Sequence, residues 1–149
     1  MQNTERGKNS SLTFDQAVSF YDKSRAMPDW VSVAVTNSLI DLARLNLSSR
    51  VLEIGIGTGR IAVPLLQRNV AVVGIDLSLA MMAELLKKVN DSSARVALAQ
   101  ADANALPFSA ATFDCAYAVH VYPLVANWQN AVRQAWRVRR PVPSRASRR

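Results

Sequence analysis

Three short segments of this sequence combine residue types and spacings suited to holding a ligand, and each stands where an apolar run gives way to a turn. The first is Val51-Leu52-Glu53-Ile54-Gly55-Ile56-Gly57-Thr58-Gly59-Arg60. A ligand lying across the end of a strand needs backbone without β-carbons beneath it, and the turn needs torsion angles that glycine reaches freely. Of the five glycines in the chain, Gly55, Gly57, Gly59 and Gly74 all fall at such places, so a bare strand-to-helix turn is a poor account of them. The pattern is Gly-x-Gly-x-Gly and not the Gly-x-Gly-x-x-Gly of dinucleotide enzymes, which argues against a nicotinamide-dependent oxidoreductase. Glu53, inside the strand, would repel a pyrophosphate, but it could accept from the ammonium of an amino-acid-like ligand or hold the turn.

The second segment is Gly74-Ile75-Asp76-Leu77-Ser78. Asp76 follows Gly55 by about twenty residues, the spacing at which a carboxylate reaches ribose hydroxyls. Its competing role is to cap a helix starting near Leu79, for which Ser78 is an equal candidate. The third is Gln100-Ala101-Asp102-Ala103-Asn104-Ala105-Leu106-Pro107-Phe108, where Asp102 could accept from an exocyclic adenine amine or serve only as turn chemistry. His120 is the sole histidine; at a strand end it is a candidate general base, although such a residue also serves simply to hold a loop. Tyr117, Tyr122, Phe108 and Trp128 could shape an acceptor pocket or form plain core.

These segments need elements to position them. Short apolar runs predict strands at residues 50–54, 70–75, 95–99 and 113–119, continuous as in a sheet covered on both faces. Helices are predicted at about 60–68, 79–89 and 127–138, with Pro64 tolerated in an opening turn. Strands alternating with helices imply right-handed crossovers and a parallel sheet. Two helices precede them, one from Phe14 to about Met27-Pro28 and one carrying Val31, Val35, Leu39 and Leu42 on one face. Residues 1–12 read as a flexible N-terminal arm, 13–138 as one domain, and 139–149 as a basic irregular tail unfit for a helix or a central strand.

Composition bounds the answer. A chain of 149 residues, half of them hydrophobic, suits one core. There is no apolar run long enough to span a bilayer and no secretory pattern, so the expectation is a cytoplasmic protein with no membrane partner. The lone Cys115 reads as a buried, inert thiol in a reducing compartment. The charge of +7 is uneven: Arg137, Arg139, Arg140, Arg145, Arg148 and Arg149 supply six of the eighteen basic residues, and without them the body nearly balances its eleven acids. Nucleic acid is therefore disfavoured as a partner.

Taken together, the three segments resemble the small-molecule class I S-adenosylmethionine-dependent methyltransferases, from about Phe14 to Val138. The resemblance implies an α/β, Rossmann-like parallel sheet, S-adenosyl-L-methionine as cofactor and no metal. It places Glu53, Gly55, Gly57 and Gly59 at the methionyl part of the cofactor, Asp76 at the ribose, Leu77 against the adenine, and Asp102 with Ala103 at the adenine amine edge. Val119 and His120 fall in the fourth motif, beside the transferable methyl. Tyr21 and Arg25 match a helical lid facing the cofactor carboxylate. A small-molecule methyl acceptor is the implied partner. Sequences of this family continue after the helix with Pro-Gly-Gly and three further strands, whereas this chain turns at Val138 to arginine, proline and serine. The expected sheet is accordingly incomplete, with about four strands and the C-terminal ones missing, as a frameshift or truncation would leave it; a cofactor-binding fragment without turnover is the alternative. An exposed edge on the fourth strand then invites self-association.

Overall fold

The computed structural model describes residues 27–89 and 95–141. The expected N-terminal arm, the first helix from Phe14, and Tyr21 and Arg25 lie outside these residues. Helix α1 (Asp29–Ala43) is followed by β1 (Arg50–Ile54), α2 (Ala62–Leu66), β2 (Ala71–Asp76), α3 (Leu79–Lys88), β3 (Val96–Gln100), β4 (Cys115–Ala118), a 3-10 turn (Tyr122–Leu124) and α4 (Trp128–Val138). The four strands form one parallel sheet in the order β3-β2-β1-β4, the α/β arrangement expected from the sequence.

Alternation along the strands sorts the core into two layers. From β1, Val51 points to one face and joins Val72, Ile61, Ala62, Leu65, Met82 and Leu85, with Val35 and Leu39 of α1 against them. Leu52 and Ile54 point to the other face, toward Val73, Ile75, Phe113, Ala131, Ala135 and Val138. Helices therefore cover both faces of the central strands. At the edge, β3 is mostly half-buried and its Ala97 and Gln100 are exposed, because one flank of that strand has no neighbour among the described residues.

Two expectations need correction. Leu42 is 86% exposed and does not continue the core face of α1; Ser32 and Thr36 are buried there instead. The fourth strand is shorter than the predicted 113–119, since Phe113 and Asp114 serve other pairings. Asp114 N donates to Arg50 O at 2.9 Å, while its carboxylate accepts from Arg50 N at 2.8 Å and from Arg140 at 2.7 Å.

The segment after α4 begins against Phe113. Thr112 N and Phe113 N both donate to Val138 O, Arg140 N donates to Phe113 O at 2.7 Å, and Arg139 forms a parallel bridge with Phe113. Residues 139–140 are thus tied back to Phe113, just before β4, by an isolated parallel bridge outside the four strands of the sheet. Phe113, fully buried and edge-on to Phe108 at 5.0 Å, anchors this corner. Arg137, counted above with the tail charges, is a clamp, donating to the carbonyls of Phe108 and Leu106 at 2.7 and 3.0 Å.

Candidate functional site

In a parallel sheet, neighbouring strands whose crossovers run in opposite directions leave a crevice at their C-terminal ends. Here those strands are β1 and β4, and a cleft of about 770 Å³, counting the part open to solvent, lies there. Its walls come from the ends of all four strands and the turns beyond them, including Gly55, Gly57, Asp76, Leu77, Met81, Asp102, Ala103, Val119 and His120.

The glycine-rich turn is fixed before any ligand arrives. Gly55 N and Ile56 N both donate to Ile75 O, at 2.8 and 2.9 Å, and Lys88 from the end of α3 donates to Thr58 O at 3.1 Å. Gly57 has a φ of +53°, and a β-carbon built on it would meet nothing within 4 Å. That opening in the cleft wall is the cradle expected beneath a ligand. Gly59 plays another part. A β-carbon there would stand 2.5 Å from Leu85 Cδ1, so this glycine, absent from the cleft wall, lets α3 approach the turn.

Asp76 is held at the centre of the cleft. Its Oδ2 accepts from Gly57 N at 2.8 Å and its Oδ1 from Ser78 N at 2.9 Å. The capping of α3 falls to Ser78, whose hydroxyl accepts from Met81 N at 3.1 Å. With the cap accounted for, Asp76 presents its carboxylate in a wall otherwise built of Leu77, Met81 and other apolar groups. Asp102 Oδ1 accepts from Asn104 N at 2.8 Å, a bond that orients the carboxylate at the end of β3. The loop behind it is pinned from α4, where Asn130 donates to Asn104 O at 2.9 Å and Arg137 to Leu106 and Phe108.

Glu53 stands apart from the cleft wall. It is 3% exposed, faces the α1 side of the sheet and accepts from the Tyr117 hydroxyl at 2.7 Å. Burial drives its carboxyl up from the ordinary 4.5 to about 8, the Tyr117 bond opposing and the charge of Asp76 adding to the rise. Burial likewise raises the Tyr117 hydroxyl well above its usual range. Its printed partner is Tyr117 on β4, so the described residues show Glu53 tying β1 to β4 and show neither of the two roles open to it from the sequence.

His120 lies in the wall with its side exposed and adopts φ +58°, a left-handed conformation in which histidine is enriched several-fold over most residues. The next residue, Val121, packs against the α-carbon of Gly55 so closely that a β-carbon there would collide with it. The loop bearing His120 is thereby fastened to the glycine-rich turn. Val121, Leu124 and Val125 complete this side of the cleft and were not foreseen; the break at Pro123 and the smallness of Gly55 are the signals that point to them. The four aromatic candidates stand elsewhere: Tyr117 and Phe108 are in the two cores, Tyr122 packs beside the second core, and Trp128 lies on the surface of α4.

Residues 51–142 match the family described as "Methyltransferase domain". The chain belongs to that family, the class I S-adenosylmethionine-dependent methyltransferases, whose cofactor is S-adenosylmethionine. Among its relatives, the phosphatidylethanolamine N-methyltransferase of Cereibacter sphaeroides is 39% identical over 91 residues, covering 60% of this chain and 44% of the relative. The demethylmenaquinone methyltransferase of Thermus thermophilus is 32% identical over 104 residues, covering 68% and 47%. A crystal structure titled a putative S-adenosyl-L-methionine-dependent methyltransferase from Methanococcus maripaludis superposes with a TM-score of 0.70 at 17% identity, covering 89% of this chain and 59% of that one. The chain spans less than half the length of the two curated relatives.

The residues present fit the nucleoside part of the cofactor. A cradle without a β-carbon at Gly57, a carboxylate held at the adjacent strand end and a second carboxylate one strand further on suit a ribose and an amine-bearing base between apolar walls.

Proposed function

We propose that this chain binds S-adenosylmethionine across the ends of its four strands and that the protein transfers a methyl group from it to a small-molecule acceptor. The observation that carries the reading is the coupling of Gly57 to Asp76: the glycine that leaves room for a ligand also orients, through its own N–H, the carboxylate that would receive the ribose hydroxyls. Asp102 would accept from the adenine amine, with Ala103, Leu77 and Met81 giving the ring apolar contact. Glu53 would support the turn near the methionyl part. The relatives named for phosphatidylethanolamine and demethylmenaquinone support a small-molecule acceptor.

When bound, S-adenosylmethionine supplies a methyl group already activated by its sulfonium. The protein's share of the work is then chiefly positioning, since holding an acceptor atom in line with the methyl supplies a large part of the rate. Val119, Val121, Leu124 and Val125 would exclude water from that side. His120, the one imidazole in the chain, would accept the proton of an acceptor that carries one. Calorimetric titration of the purified chain with S-adenosylhomocysteine, and separately with NAD, tests the reading. Saturable heat with the first and none with the second is expected; the reverse would refute it.

A further inference from the structure

Helix α4 has two apolar faces. Ala131, Ala135 and Val138 are buried against the sheet. Trp128, Val132 and Trp136, spaced four residues apart, form a second stripe that is 49%, 40% and 71% exposed. Two tryptophans lie on this one outward stripe, and exposing them costs solvation. The charges on α4 itself all have one sign. Arg133 is exposed on α4, and Arg139 sits over the Trp136 ring, its Cζ 4.2 Å from the centroid. No acidic residue occurs in α4, and from Cys115 to Arg149 the sequence holds seven arginines and no aspartate or glutamate. Arg140 satisfies the last acid before that stretch, Asp114, while remaining half exposed itself.

We propose that this face of α4 docks on an anionic lipid surface, with Trp128, Val132 and Trp136 entering the headgroup region and Arg133 and Arg139 meeting the lipid phosphates. Aromatic rings with one polar edge, flanked by arginine, suit that interface. Charge decides between occupants. A second copy would bring the same arginines against these, a repulsion that no acid on α4 relieves, whereas a surface of anionic headgroups neutralises them. The absence of a membrane-crossing helix among the described residues bears on insertion and not on adhesion of this kind. The proposal does not depend on the methyl-transfer reading, because its test requires no cofactor.

The test is sedimentation of the full chain with vesicles of phosphatidylcholine alone and of phosphatidylcholine mixed with phosphatidylglycerol. Binding to the mixed vesicles, weakened by salt and absent with the neutral ones, is expected. Trp128→Ser with Trp136→Ser should abolish it, and Arg133→Glu, at an exposed position that leaves the fold untouched, should weaken it at least about fivefold. In a Trp30→Phe background, brominated lipid should quench the tryptophan emission. Failure to bind the mixed vesicles, or binding that neither change alters, overturns the proposal. Tryptophan emission that shifts with protein concentration in the absence of lipid would assign the face to a second copy instead, and capture of single-stranded RNA without capture of vesicles would assign it to nucleic acid; either overturns it.

Discussion

Glu53 and Tyr117 stand opposite each other across the β1–β4 register, and the Tyr117 hydroxyl donates to the Glu53 carboxyl at 2.7 Å. Two polar side chains at the middle of a buried sheet face satisfy one another there, and the cost of that solution depends on pH.

In the folded chain the Glu53 carboxyl holds its proton up to about pH 8, against 4.5 ordinarily. Between those values the folded state binds the proton and the unfolded state does not, so stability falls as pH rises through that window. The stabilising contribution is fully present below pH 4.5 and is lost by about pH 8. Glu53→Gln keeps an acceptor for Tyr117 and removes the titration. Urea unfolding from pH 5 to pH 9 should show the wild type losing several kcal/mol relative to the variant. Parallel curves for the two proteins would mean that Glu53 is ionised in the fold.

Asp76→Ala should weaken S-adenosylhomocysteine binding about ten- to a hundredfold, the scale of losing charged hydrogen bonds. The same change frees Gly57 N, which Asp76 now holds at 2.8 Å. Asp76→Asn retains an acceptor for that N–H and should fall between the two. Equal calorimetric affinities for all three proteins would remove Asp76 from the ribose.

Much of this site was legible in the sequence because its signals are local. A strand ending in spaced glycines and a carboxylate two residues after Gly74 follow from backbone geometry alone, and Gly57, Asp76 and Asp102 do line one cleft. What escaped depends on contacts between distant segments. Nothing near Arg137 says that it clamps the Leu106 and Phe108 carbonyls, since a composition count sees only one more arginine beside others. Gly59 and Gly57 look alike in the motif, yet one faces Leu85 and the other open space. The pairing of Arg139 with Phe113 was hidden because arginine beside proline reads as irregular chain, whereas the buried Phe113 and the accepting carbonyl of Val138 create the place for it.

Thr36 lies fully buried in α1, and its hydroxyl has no hydrogen-bond partner among the described residues. A hydroxyl taken from water without compensation costs about 1–3 kcal/mol. Thr36→Val keeps the shape and removes the polar atom. Thermal unfolding should give a variant more stable by about 1 kcal/mol, and a lower melting temperature would show that the hydroxyl is satisfied in solution.

The two glycines of the turn offer a separation of ligand space from packing. Both Gly57 and Gly59 have positive φ, at +53° and +80°, so alanine at either position carries a backbone cost of about 1–2 kcal/mol. At Gly57 that is nearly the whole cost to the fold, because the added carbon meets nothing within 4 Å; the methyl instead occupies the cleft, and S-adenosylhomocysteine affinity should fall. At Gly59 the added carbon runs into Leu85 Cδ1 and Cγ at 2.5 and 2.7 Å. The buried Leu85 side chain must then shift, and the loss of stability should exceed that of Gly57→Ala by about 1–3 kcal/mol, the scale of overpacking. Shortening the obstructing side chain should relieve the clash, so Gly59→Ala combined with Leu85→Ala should be more stable than the two separate losses add up to. Urea midpoints for the four proteins, with cofactor-product titrations alongside, give the measurement. If Gly57→Ala destabilises the fold as much as Gly59→Ala and leaves affinity unchanged, the open space beside Gly57 is not where the ligand lies.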